Sequence, residues 1–309
     1  MKFAAIDIGS NGARMQISRV LTGDAGELSP KSTISFKRIE YTRFALRLGK
    51  DVFYHQKITD DKKEKLLKLC QVFKLLMELH EVEDYLAFAT SAFREAVNST
   101  EVVKLLLKQT GISLEIIDGQ QEAAILGQAV RNGLENGKNY LHIDVGGGST
   151  ELNFYAGREK MASQSFRIGS IRGGSTTEGH LVMPQMLAWV REMKETHFAG
   201  KKILAVGTGG NINKVHTLIK APGYLLERED IYTLRIYLAR FSFKQKVHIL
   251  KLNPDRADTI LPATEIYLNT MESAEATQML VPKVGLKDGM LQLLLQKNLP
   301  FELHDLTFI

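Results

Sequence analysis

The sequence predicts an α/β protein built from two similar halves. Three observations predict it. Apolar, β-rich segments alternate along the chain with amphipathic helical ones. The phrase Ile6-Asp7-Ile8-Gly9-Ser10 returns as Ile143-Asp144-Val145-Gly146-Gly147-Gly148-Ser149. Each phrase opens the same succession, a set of strands followed by alternating helix and strand, which is the mark of an internal duplication. Two such halves facing each other would leave a ligand cleft between them.

In the first half, residues 3–8, 13–20 and 32–39 read as strands. Residues 60–80 read as an amphipathic helix, with Leu66, Leu69, Cys70, Phe73, Leu76 and Met77 on one face. Thr59 suits its N-cap, and Asp60 and Asp61 its first turn. A short strand at 85–89 precedes a helix at 99–110, where Asn98 and Glu101 resemble a capping box and Gly111 follows the last turn. Residues 113–117 form another strand, and a helix begins near Gln120.

The second half reads as strands at 140–145, 150–155 and 160–168. Pro184 suits the first turn of a helix running to about His197, in which Met186, Trp189 and Val190 face the core. A strand at 202–206 leads to a helix at 211–219. Residues 228–273 are mostly helical in pattern, and a strand at 278–282 precedes a last helix at 287–297.

Composition narrows the class. The 309 residues are 44% hydrophobic and 24% charged, as in soluble globular proteins. No apolar stretch is long enough for a signal peptide or a membrane span, so a cytoplasmic protein without a membrane partner is expected. Cys70 is the sole cysteine, which excludes an intrachain disulfide and a thiolate zinc site. A net charge of +5 suits an anionic ligand and equally a solvated, lysine-rich surface. No feature suggests specific nucleic-acid binding.

The chemistry concentrates in glycine-rich turns. In both opening phrases an Asp ends an apolar strand and is followed by Gly and Ser. Glycines bring backbone N–H groups close to a phosphate, and the serines add hydroxyl donors. Asp7 and Asp144 are natural ligands or outer-shell acceptors for a hard cation such as Mg²⁺. A third turn, Gly207-Thr208-Gly209-Gly210-Asn211, lies between a strand and a helix and offers a helix N-terminus to an anion.

These residues resemble the exopolyphosphatase/guanosine pentaphosphate phosphohydrolase family of the actin–Hsp70–sugar kinase superfold. Asp7, Gly9, Ser10 and Asn11 resemble its first phosphate loop, and the run from Asp144 to Leu152 its second. Thr90, Arg94 and Asn98 fit a T-x-x-x-R-x-A-x-N segment, and Gly119-Gln120-Gln121-Glu122-Ala123 stands where the family has G-N-E-E-A. Gly169 to Arg172 resembles a G-x-x-R turn, Gly207-Thr208-Gly209 a third glycine loop, and Gly285-Leu286-Lys287-Asp288-Gly289 a closing G-L-R-E-G. Two departures stand out: Gln121 replaces the first Glu of an acidic pair, and Lys287-Asp288 replaces Arg-Glu. This sequence ends at Ile309, before the HD-type extension of longer members, and His304-Asp305 is a chance dipeptide.

The resemblance implies two actin-like (ribonuclease H-like) half-domains with an interdomain cleft. One is expected over 1–121 plus about 287–309, the other over 122–286. It also implies a phosphohydrolase acting on inorganic polyphosphate of short to moderate length or on a phosphorylated guanosine nucleotide, in a possible homodimer. Glu122 is the implied catalytic base. Gly9, Ser10, Asn11, Arg94, Gly146, Gly147, Gly148, Ser149, Gly207, Thr208 and Gly209 are the implied phosphate contacts, and Asp144, Glu151 and Asp7 the ligands of Mg²⁺. A kinase on the same superfold and a non-catalytic sensor of a phosphorylated signal stay open. Read without the resemblance, Glu122 suits a first-turn helix carboxylate, Arg94 a surface pair with Glu95 or Glu101, and His142 a packed or hydrogen-bonded core residue.

Overall fold

Two six-stranded sheets form the frame, each in its own compact unit: Met1–Gly133 with Val284–Ile309, and Leu134–Lys283. The computed structural model describes residues 1–22, 34–172, 177–299 and 306–308. Residues 32 and 33 of the expected third strand, and the His304-Asp305 dipeptide, lie outside the described residues.

The first unit opens with β1 (Lys2–Ile8), β2 (Ala13–Thr22) and β3 (Ile34–Phe44), a three-strand antiparallel meander. It continues with α1 (Leu48–His55), α2 (Asp60–Leu79), β4 (Asp84–Ala89), α3 (Ser91–Glu95), α4 (Ser99–Thr110), β5 (Glu115–Ile116) and α5 (Gly119–Arg131). The second unit repeats the meander as β6 (Asn139–Val145), β7 (Thr150–Ala156) and β8 (Glu159–Phe166). After it come α6 (Thr177–Phe198), β9 (Ile203–Thr208), α7 (Gly210–Ile219), β10 (Leu225–Glu227), α8 (Arg228–Ala239), α9 (Phe243–His248), α10 (Pro254–Ala257), α11 (Ile260–Ser273) and β11 (Gln278–Leu280). The chain then returns to the first unit through α12 (Leu286–Asn298) and β12 (Leu306–Phe308).

The sheets run β12-β3-β2-β1-β4-β5 and β10-β11-β9-β6-β7-β8. Within them, β3-β2-β1-β4-β5 and β8-β7-β6-β9-β11 have one order and one set of strand senses, the actin-like half-domain twice. Each has an unrelated strand added at an edge. Among the described residues no helix is long and apolar enough to cross a membrane.

The division differs from the sequence expectation: α5 belongs to the first unit. The reason is its crossing with α12, where the backbones approach so closely that a Cβ on Gly289 would overlap the Ile125 carbonyl. Gly289, the last glycine of the closing motif, is therefore a helix-contact residue. In turn α12 buries Met290, Leu291, Leu294 and Leu295 with Phe3, Ala5, Phe88 and Ile117.

Several local expectations change. Pro184 sits inside α6, not in its first turn, since the helix starts at Thr177. Burial of Met186 and Val190 against the second core outweighs the one hydrogen bond a proline removes. Trp189 packs on Phe154 and Phe166 at ring distances of 5.8 and 5.7 Å, as core. Asn98 occupies an N-cap position, yet its amide brackets the backbone of Ile58 with two 2.9 Å bonds, and Glu101 turns to Lys63. Thr59 stands at the N-cap of α2, but its hydroxyl donates to Asp51 at 2.6 Å. Both side chains tie separate segments together instead of capping their own helices.

On α2, Leu66, Leu69, Cys70, Phe73 and Met77 are buried, which is the predicted face. Burial there pushes the Cys70 thiol from 9.0 up to about 12. The native thiol stays protonated where the unfolded one ionises. Its contribution is therefore fully present below pH 9.0 and is lost as pH rises toward about 12. Urea midpoints taken from about pH 8 to about pH 11 should fall more steeply for the wild type than for Cys70→Ala. Parallel slopes would show that the thiol ionises freely in the native state.

Candidate functional site

In the first unit, the turn after β1 is built from Gly9 to Gly12, with Gly9 N–H donating to Gly12 O at 3.1 Å. Gly49 N–H donates to Ser10 O at 2.8 Å and Arg47 N–H to Asn11 O at 3.1 Å, so the start of α1 holds this loop. The Ser10 hydroxyl meets that of Ser91 at 2.6 Å. Asp7 was expected to bind a cation. Instead Arg14, its direct partner in the β1–β2 register, donates Nη1 to Oδ2 at 2.5 Å. Asp7 thus carries an ion pair that its counterpart Asp144 does not have from the matching position.

Arg94 lies in the last turn of the short helix α3 after β4, and Glu122 in the first turn of α5. Arg94 Nη1 donates to Glu122 Oε2 and to Ile117 O, both at 2.9 Å. The two residues, singled out separately by the sequence, thus form a partly buried ion pair. Gln121 completes a capping box with Asp118: Gln121 N–H donates to Asp118 Oδ1 at 2.8 Å, and Asp118 N–H to Gln121 Oε1 at 2.9 Å. Gln and Glu serve equally at this position of the box. The departure from the family pattern thus leaves the helix start intact.

In the second unit, the loop from Gly146 to Ser149 closes on itself through Gly146 N–H to Ser149 O at 2.9 Å. The segment 170–172 clamps it. Ser170 N–H and Oγ–H both donate to Gly146 O at 3.0 Å, Ile171 and Arg172 N–H to Gly147 O at 2.8 and 3.1 Å, and Arg172 Nε–H to Gly148 O at 3.1 Å. In a planar trans peptide, C=O and the following N–H point oppositely. With three successive carbonyls turned to the clamp, the N–H groups of Gly147, Gly148 and Ser149 face the other way. A Cβ on Gly169 would lie 2.6 Å from Gly147 C and O. The G-x-x-R turn owes its glycine to that approach, and its Arg172 is a loop-holding residue.

Pairing brings the second unit's acids together. Asp144 on β6 faces Glu151 on β7 and Thr208 on β9. Thr208 Oγ donates to Asp144 Oδ1 at 2.5 Å, and Ser165 Oγ to the fully buried Glu151 Oε1 at 2.9 Å. Gly209 has φ +101°, a conformation that favours glycine, and a Cβ there would lie 3.2 Å from Asp144 Oδ1. Tyr267 on α11 staples the strand ends, donating to Thr208 O and accepting from Val145 N–H. Burial, then the Asp144 charge, pushes its phenol well above the ordinary value.

Among the described residues no three His, Cys, Asp or Glu side chains cluster as a complete metal cage. Mg²⁺ commonly takes one or two carboxylates plus waters and phosphate oxygens, and the Asp144–Glu151 pair fits that donor set. Sequence reasoning missed Arg14 and Tyr267. Arg14 had a signal: it stands seven residues after Asp7, as Glu151 does after Asp144. Tyr267 had none, being distant in sequence from what it joins.

Fold and loops together define a duplicated α/β protein with backbone cradles suited to phosphate. Residues 28–298 match the Ppx/GppA phosphatase family, and the chain belongs to that family. It is 24% identical to exopolyphosphatase 1 of Mycobacterium tuberculosis over 94% of this chain and 87% of that protein. A bifunctional 3-dehydroquinate synthase/phosphatase of Fusobacterium nucleatum is 31% identical over 176 residues, 55% of this chain, which spans only 25% of that longer protein. The structure of an exopolyphosphatase from Cytophaga hutchinsonii superposes with a TM-score of 0.79 at 21% identity, covering 96% of this chain and 98% of that one.

Substitutions at two positions probe these contacts. Gly169→Ala should destabilise the protein by roughly 1–3 kcal/mol, because the loop backbone must move aside. An unchanged melting temperature would show that the clamp yields freely. Gln121→Glu should keep stability within about 0.5 kcal/mol of wild type, whereas Gln121→Ala should cost about 1 kcal/mol in a urea titration.

Proposed function

We propose that this protein hydrolyses the terminal phosphate of inorganic polyphosphate of short to moderate length, with Mg²⁺ as its cofactor. The observation that carries the reading is the clamped 146–149 loop, whose Gly147, Gly148 and Ser149 N–H groups face away from the 170–172 segment. Such a row of amides suits phosphoryl oxygens, and it needs no reorganisation as charge develops on them. Membership of a phosphatase family and the names of the relatives support the same chemistry.

In this reading, a water oxygen bonds to the terminal phosphorus while the bridging P–O bond to the next phosphate breaks. The bridging oxygen leaves with the electron pair. Glu122 takes the proton that the water gives up, and Arg94 holds the Glu122 carboxylate in place. The products are orthophosphate and a chain shorter by one phosphate. Gly9, Ser10, Asn11, Gly207, Thr208 and Gly209 supply further phosphate contacts, with Arg94 adding a forked, permanently charged one. Asp144 and Glu151 would hold Mg²⁺, which when bound supplies neutralisation of phosphate-oxygen charge. All these contacts address phosphate, which guanosine pentaphosphate also presents, so the substrates need direct comparison.

The test is phosphate release from polyphosphate of defined length and from guanosine pentaphosphate in parallel, with Mg²⁺ and with chelator. Glu122→Gln should lower kcat on the order of 10²–10⁴-fold with little change in KM. A variant keeping more than about a third of the rate would move the base elsewhere. Chelator-resistant activity would remove the metal, and hydrolysis of guanosine pentaphosphate alone would replace the substrate.

A further inference from the structure

Behind Asp144, two residues further into each strand, the same face of the second sheet carries another polar row. His142 on β6 stands opposite Asn153 on β7, which stands opposite Ser163 on β8. His142, Asn153 and Thr208 are wholly buried. His142 Nε2 lies 2.8 Å from Thr208 Oγ, and its Nδ1 lies 3.1 Å from Asn153 Nδ2. Ser163 Oγ donates to Asn153 Oδ1 at 2.7 Å. With the 2.5 Å bond from Thr208 to Asp144, five side chains form one unbroken chain.

The direction of that chain follows from its end. An ionised Asp144 only accepts, so the single Thr208 proton must point at it. Thr208 then offers only a lone pair to His142, so Nε2 must carry a proton. If Nδ1 is the acceptor, Asn153 must present its NH₂, and its carbonyl must take the Ser163 proton. Each partner has only one role left to it.

We infer that His142 is a positioning residue: through the Ser163–Asn153–His142–Thr208 chain it keeps the Thr208 hydroxyl donating to Asp144. The carboxylate is thereby fixed in rotation and kept as an acceptor. Reversed, the chain would turn the Thr208 proton toward His142 and set two oxygen lone pairs against each other beside Asp144. Outer-shell partners of this kind typically alter metal affinity by about 10–100-fold. The effect on Mg²⁺ rests on the reading of Asp144 as a metal-holding carboxylate; the direction of the chain does not.

Asn153→Asp, read at a pH high enough to keep the ring neutral, tests it, because a carboxylate at that position can only accept, so the one ring proton must sit on Nδ1. Proton–nitrogen correlation spectra of ¹⁵N-histidine-labelled protein, free of metal, read the tautomer, with His142→Gln identifying the signal. Wild type should show the Nε2–H form. Asn153→Asp should show Nδ1–H, together with calorimetric Mg²⁺ binding weakened by about 10-fold or more. Should Asn153→Asp fail to fold, Asn153→Leu removes the donor to Nδ1 and leaves Thr208 alone to orient the ring, so a share of Nδ1–H should appear beside Nε2–H, again with weakened Mg²⁺ binding. Nδ1–H in the wild type overturns the inference. So does a tautomer reversed or mixed with Mg²⁺ affinity unchanged, provided that Asp144→Asn weakens binding. If Asp144→Asn leaves Mg²⁺ binding intact, the metal reading of that carboxylate fails, and the tautomer alone judges the chain.

Discussion

The register of β6 is the constraint on which the second unit's chemistry depends. This strand lies between β7 and β9, and its pairing sets Asp144 beside Glu151 on one side and Thr208 on the other. A slip of one residue on either side would turn an entire row of side chains to the opposite face. The buried neighbours Leu141, Ile143 and Val145 resist that slip, because it would bring the polar row into the hydrophobic core. Apolar burial on one face thus fixes the acids on the other. The loops that follow inherit the precision of the strands, since each begins where a paired strand ends.

The duplication is structural but not electrostatic. Asp7 and Asp144 occupy matching strands, and each faces the residue seven positions later across a hairpin. In the first unit that residue is Arg14, and the hairpin is closed by an ion pair. In the second it is Glu151, so two carboxylates share the equivalent position. Like charges directly opposite one another are unfavourable without compensation. One geometry, used twice, therefore occurs once with an ion pair and once with two carboxylates. A similar division affects the loops: the first is held by the start of α1, the second by the 170–172 clamp.

Much of this was legible in the sequence. The repeated Ile-Asp phrase and the strand–helix alternation disclose the two half-domains. The 3.6-residue spacing around Cys70 identifies the buried face of α2. Local signals failed where a side chain answers to a distant segment. Asn98 looks like a cap but brackets Ile58, and Arg94 has acidic neighbours but reaches Glu122. The place of α5 was equally hidden, since it is decided by the helix–helix approach at Gly289. The candidate site divides similarly. Residue types and loop positions can be read from the motif, whereas the Asp7–Arg14 pairing and the Tyr267 staple require the fold.

The first unit is discontinuous in sequence: its core of Phe3, Ala5, Phe88 and Ile117 is completed by α12. On a ribosome, the whole of the second unit emerges before the helix that completes the first. The second unit can reach its native packing while the earlier-made strands still expose the surface that α12 will cover. Order of synthesis and order of completion are therefore inverted. Throughout the synthesis of residues 134–283, the face of Phe3, Ala5, Phe88 and Ile117 that α12 will cover therefore stays open to chaperones or to aggregation.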